Sequence, residues 1–142
     1  MEDITNQNIM IRFPVEEIPN NQKLFYRIHK VNIDESETDK IKKIKPVAFD
    51  PQPKELNSVQ MSVNWEKYST AESTKLSARK PELNGVLSFN SSSIRLEPIN
   101  LNVTHSPTTN QAHSHIHDIV SEKNDPEIRI LLRESCSWEI EL

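Results

Sequence analysis

Glycine is almost missing from this chain. Gly85 is the only one in 142 residues, so every phosphate-cradling motif built on spaced glycines is excluded, the dinucleotide fingerprint and the P-loop among them. Turns have to come from Asn, Asp, Ser and Pro, as at Pro19-Asn20-Asn21, Asp50-Pro51-Gln52-Pro53 and Asn124-Asp125-Pro126. Cysteine is equally scarce. Cys136 alone excludes an intrachain disulfide and a Cys-rich zinc cluster, and it fits a reducing compartment. Its neighbours Glu134-Ser135-Cys136-Ser137-Trp138 include no basic residue beside the sulfur, so an inert thiol is expected and not a nucleophile. Long apolar runs are absent too: nothing approaches the roughly 18 residues that span a bilayer. The opening Met1-Glu2-Asp3-Ile4-Thr5-Asn6 lacks the order of a signal peptide, and the expected location is cytoplasmic, with no membrane partner. Finally, there is no excess of positive charge. A net charge of -4 does not favour a nucleic-acid-coating role, which needs concentrated Lys and Arg.

What is present is one domain's worth of chain, residues 1–142, with 35% hydrophobic and only 6% aromatic residues. Such a thin core would suit a subunit that completes itself against another protein. Charges group in the segment 34–45, where Asp34, Glu35, Glu37 and Asp39 precede Lys40, Lys42, Lys43 and Lys45; offsetting signs predict a solvated surface excursion.

Period-2 alternation marks the strands. Extended segments are expected at Asn8 to Phe13, Lys23 to Ile33, Pro46 to Asp50 and Met61 to Trp65, and a hairpin joining Leu87 and Phe89 to Ile94 and Leu96. A further strand runs from Ile99 to His105, and Trp138, Ile140 and Leu142 alternate in a last short strand or an extended tail that docks on a partner. Ser69 three residues before Glu72 has capping-box spacing and opens a short helix, and Asp125-Pro126-Glu127 opens another with Ile128, Leu131, Leu132 and Ser135 as its stripe. Strands in runs, without βαβ alternation, predict an α+β fold: a small single domain with a largely antiparallel sheet and two or three short helices.

Four of the five histidines fall between His105 and His117. Behind Asn110, a preferred N-cap residue, Ala112, Ile116, Ile119 and Val120 recur at helical spacing, which predicts a helix over 111–122 with His113 in its first turn. His105 at a strand end and His113 at a helix start would then meet. Two chemistries follow. In one, His105 is a general base and Ser106 or a water the nucleophile, with His113 beside it and Arg27 as a charge clamp. In the other, the helix N-terminus holds a small anion together with Asn110, His105 and His113. Against both stands a buried histidine satisfied by backbone carbonyls. His113 and His117 have the spacing that lets two helical imidazoles face one metal, but Ser114 stands where a zincin has Glu, and neither a metal nor another cofactor is expected. Arg27 reads as a surface residue or a charge facing a cleft, and Trp65 as core.

The order Phe25-Tyr26-Arg27, Val47-Ala48-Phe49, Met61-Ser62-Val63-Asn64-Trp65, Val103-Thr104-His105-Ser106-Pro107 and Asn110-Gln111-Ala112-His113 resembles small bacterial proteins encoded beside partner genes in mobile or antiphage-defence loci. The likeness covers Leu24 to Ile119 and carries no activity with it. It implies a cytosolic accessory subunit of a multi-protein system, acting through protein–protein contacts with another subunit. The alternative is a histidine-centred hydrolase or transferase for a phosphate-bearing or nucleotide substrate, built on His105, His113 and Arg27.

Overall fold

The computed structural model of the chain describes residues 13–49, 60–117 and 126–142. The segment Asn8 to Phe13, read as a strand, lies outside the described residues except for Phe13. Six strands form one antiparallel sheet: β1 (Lys23–His29), β2 (Gln60–Trp65), β3 (Asn84–Asn90), β4 (Asn102–His105), β5 (His113–His117) and β6 (Ser137–Ile140), in the order β4-β5-β2-β1-β3-β6. Among the described residues three helices accompany it, α1 (Ala71–Leu76), α2 (Ser91–Arg95) and α3 (Pro126–Ser135), so the fold is a small single-domain α+β one.

Register assigns each side chain to a face, because alternate residues point to opposite sides. The pairs Val103↔Ile116, Ile116↔Met61, Ser114↔Val63, Trp65↔Leu24 and Leu24↔Phe89 run across five strands and place one buried row after another on the same side. On that side Tyr26, Phe49 and Phe89 pack ring to ring with centroids 5.8–6.1 Å apart. α2, α3 and a 3-10 turn at Pro46–Phe49 cover it. That turn corrects the strand expected at Pro46 to Asp50: Pro46 fixes the backbone for a tight turn, the Ala48 N–H donates to Lys45 O at 2.9 Å, and the Tyr26 hydroxyl donates to Ala48 O.

The second face carries Phe25, Arg27, Ser62, Asn64, Thr104, His113, His115 and His117. α1 lies over its β1 and β3 half. The cap of α1 is one residue later than the spacing of Ser69 and Glu72 implies: Thr70 Oγ1 accepts from the Ser73 N–H and Ser73 Oγ from the Thr70 N–H, both at 3.0 Å. Thr74, and not Leu76, is its buried residue, held by Asn64 Nδ2 at 3.0 Å.

Two further expectations are overturned. The segment 111–117 is not helical. Ser106 N–H donates to His113 O at 2.9 Å and Ala112 N–H to Asn110 Oδ1 at 3.1 Å, so Asn110 caps a turn that folds β5 back on β4 as a hairpin; residues 118–122 lie outside the described residues. The hairpin expected across Asn90 to Ser93 is the helix α2 instead, because Asn90 Oδ1 accepts from the Ser92 N–H at 2.8 Å and the buried Ser91 hydroxyl donates to Pro19 O at 2.7 Å. The excursion 34–45 is mostly exposed and is tied down at one end: an Ile33↔Ile44 bridge closes it, Ile44 is buried, and Arg133 Nη1 donates to Ile44 O at 3.2 Å.

Scarcity of glycine is met as anticipated at Pro19-Asn20-Asn21, where Asn21 takes up φ 63°, the left-handed region that asparagine tolerates. The single Gly85 has a different task. A methyl there would stand 2.7 Å from Ile140 O and 3.0 Å from Trp138 Cζ3, so the bare backbone lets β6 close against β3.

Candidate functional site

His105 sits on the core face of β4, 3% exposed. Its Nδ1 accepts from the Glu16 N–H at 3.0 Å and its Nε2 donates to Gln111 O at 2.7 Å, so one ring proton satisfies both nitrogens. The Trp65 ring meets it edge-on at 5.2 Å and the Tyr68 ring stacks at 6.0 Å. Tyr68 in turn donates to a Glu16 carboxylate oxygen and Lys67 Nζ lies 2.6 Å from the other; these bonds hold the Glu16 carboxyl below its ordinary range. The imidazole is a clamp that fastens residues 16–18 to the sheet. With both nitrogens engaged by backbone and the ring on the core side, it stands apart from the other residues expected beside it.

Those others do meet. Arg27 on β1, His113 on β5 and Asn110 in the β4–β5 turn line one cavity of about 100 Å³, with Phe25, Ser62, Val63, Asn64, Thr74 and Ser77. β2 brings them together by lying between β1 and β5. Arg27 Nη1 donates to Ser77 Oγ at 2.9 Å; Asn110 Nδ2 donates to Asn64 Oδ1 at 2.9 Å. His113 Nδ1 donates to Ser106 O at 2.9 Å, which leaves Nε2 as the acceptor, 3.3 Å from Ser62 Oγ. The helix N-terminus expected to supply anion-binding amides does not exist here, since 113–117 is a strand. What Arg27, Asn110 and His113 bring to the cavity is side-chain groups.

His113, His115 and His117 share the second face of β5, with the His113 and His115 rings 4.8 Å apart and His117 Nε2 3.2 Å from Thr104 Oγ1. Among the described residues no group of three or more His, Cys, Asp or Glu side chains is arranged to hold a metal ion. Cys136 is buried, and burial pushes its thiol up to about 11, out of the range of a nucleophile at neutral pH.

Spacing gave no hint of a second cleft. It lies at the open edge of β6 and has a volume of about 350 Å³. Ile33, Leu83, Trp138 and Leu142 are its apolar lining, and Lys30, Lys43, Glu35, Glu82 and Glu141 line it with both signs of charge. Trp138 is held there by Nε1 donating to Lys40 O at 2.8 Å, and Lys40 pairs with Glu141 at 3.0 Å. On the neighbouring stretch, burial would raise the Glu139 carboxyl, but hydrogen bonds from Lys23 Nζ at 2.9 Å and the Ser88 hydroxyl at 2.8 Å outweigh it and hold it low.

No helix among the described residues is long and apolar enough to cross a membrane. No family model, curated protein or solved structure matches this chain.

Proposed function

We propose that the chain is an accessory interaction subunit of a bacterial multi-protein system, of the antiphage-defence kind its resemblance implies, and that it engages its partner protein at the β6 edge. One observation carries this reading: the cleft beside β6 is lined by four apolar side chains, a tryptophan among them, and by five charged ones of both signs. Protein interfaces draw on that mixture, with aromatic anchors at the centre and solvated polar groups around them. β6 ends the sheet, and no described strand pairs with its outer side. An extended partner segment laid along it would gain backbone hydrogen bonds from the strand and side-chain contacts from the cleft. Charges of both signs beside four apolar side chains favour a protein over a polyanion.

The test is co-expression with the product of the adjacent gene, followed by size-exclusion chromatography of the purified pair. A stable complex with the unaltered chain, lost on Leu83→Asp while the fold persists by circular dichroism, supports the reading. A chain that stays monomeric with every adjacent product, or a complex indifferent to Leu83→Asp and Glu82→Lys, overturns it.

The alternative reading, a histidine-centred enzyme, loses its base when His105 is occupied by backbone on the core side. One part of it keeps support of its own, the affinity for a phosphate-bearing molecule, because Arg27 and His113 share a cavity.

A further inference from the structure

Arg27 lines two cavities. The inner one is the space of about 100 Å³ shared with His113, room for a few waters or one tetrahedral oxyanion. The outer one, about 320 Å³, is bounded by Arg27, His29, Ala78, Arg79, Lys80 and Asn84, a volume within the range of small-molecule sites. We propose that together they bind a small phosphate-bearing molecule, its phosphate at Arg27 and its body along the groove of His29, Arg79 and Lys80.

Charge is the first support. The chain carries 21 acidic residues against 17 basic ones, yet no carboxylate lines either cavity, while three permanent cations and two histidines do. Among the described residues the ion pairs are Lys23–Glu139, Lys40–Glu141 and Lys67–Glu16, so Arg27, Arg79 and Lys80 are not neutralised in that way. Cations gathered without counter-charges in a net acidic chain raise the local concentration of anions.

Geometry is the second. Arg27 gives one N–H to Ser77 Oγ and keeps the rest of its planar fork for a ligand, the shape that matches two phosphate oxygens. Asn110 and Asn64 are fixed by the relay Asn110 Nδ2 to Asn64 Oδ1 and Asn64 Nδ2 to Thr74 Oγ1, and each amide retains a second N–H. With Nδ1 of His113 committed to Ser106 O, Nε2 is the acceptor; its contact is Ser62 Oγ at 3.3 Å, a long one that the O–H of a protonated phosphate can replace. A polynucleotide fits less well. The only ring lining the inner cavity other than that of His113 is buried Phe25, and the outer groove offers bases no Phe, Tyr or Trp, only the small ring of His29.

The inference uses none of the residues of the β6 cleft and stands or falls apart from it. Its test is an NMR-monitored titration of the full chain, first with inorganic phosphate and then with phenyl phosphate as a monoester that has a body. Both should shift the amides around Ser62, Asn64, Ser77, Asn110 and His113 saturably. Arg27→Gln should weaken both at least tenfold. The pair Arg79→Gln and Lys80→Gln should weaken phenyl phosphate at least threefold and inorganic phosphate less than twofold, and Lys42→Gln, which lines neither cavity, should change neither. Non-saturating shifts, or equal losses in the Lys42→Gln control, would mean diffuse surface charge and overturn the proposal. So would a short single-stranded oligonucleotide that binds the same residues more tightly than phenyl phosphate.

Discussion

Replacing Gly85 by alanine isolates the contact that closes the sheet. Gly85 does not have positive φ, so the backbone itself tolerates a side chain, and in isolation the change should stabilise the strand by about 0.4–1 kcal/mol through the unfolded chain. Its neighbours decide otherwise. The new methyl would meet Ile140 O at 2.7 Å, Trp138 Cζ3 at 3.0 Å and Leu142 Cγ at 3.3 Å. Leu142 can turn aside, but Ile140 O is backbone in register with Val86, and the Trp138 ring is tied to Lys40 O. Overpacking of that kind costs about 1–3 kcal/mol, so a net loss of roughly 1–2 kcal/mol is expected in urea unfolding followed by far-ultraviolet circular dichroism. The same substitution in a chain ending at Ser137 should be neutral or stabilising, because the clashing atoms are gone, and the difference between the two backgrounds is the coupling. Equal destabilisation in both backgrounds, or a more stable full-length variant, would refute the reasoning.

Three other outcomes follow from the same contacts. Truncation after Ser137 should cost on the order of 3–5 kcal/mol, because Trp138 packs on the core, and a shortened chain of unchanged stability would show β6 to be an accessory tail. His105→Ala should cost about 2–4 kcal/mol in urea unfolding by orphaning the Glu16 N–H and Gln111 O in the interior, whereas a variant of normal stability would return His105 to the list of functional residues. Cys136 binds its proton more tightly in the folded chain, so its contribution is present below the ordinary thiol range and lost as pH rises towards about 11; relative to Cys136→Ala the unaltered chain should lose roughly 2–3 kcal/mol across that window, and parallel pH profiles would contradict the burial.

The strand β2 was legible because Met61, Val63 and Trp65 alternate with polar residues, and α3 because Pro126 and Glu127 mark its start. β5 was not. Ala112 and Ile116 are four apart, a spacing that suits a helix turn and a strand face alike, and the residue between them that reveals the strand is Ser114, buried but polar. The Asn110 signal was real, yet it caps a turn. In α2 the reverse error arose: Ile94 and Leu96 alternate, but Leu96 is 64% exposed and Asn90 is the cap that governs the segment. The meeting of Arg27 with His113 depends on β2 lying between β1 and β5, a non-local choice that no spacing encodes. No spacing marks Arg79 and Lys80 as sharing a cavity with Arg27, or Gly85 as the position whose bare backbone admits β6.

Hydrogen exchange of the co-purified complex tests the interaction reading most directly. Binding should slow exchange along Trp138 to Leu142 and around Ile33 and Leu83, and leave the open faces of β4 and β5 unchanged. Protection confined to β4, β5 and the Asn110 turn, with the β6 edge exchanging as in the free chain, would contradict it.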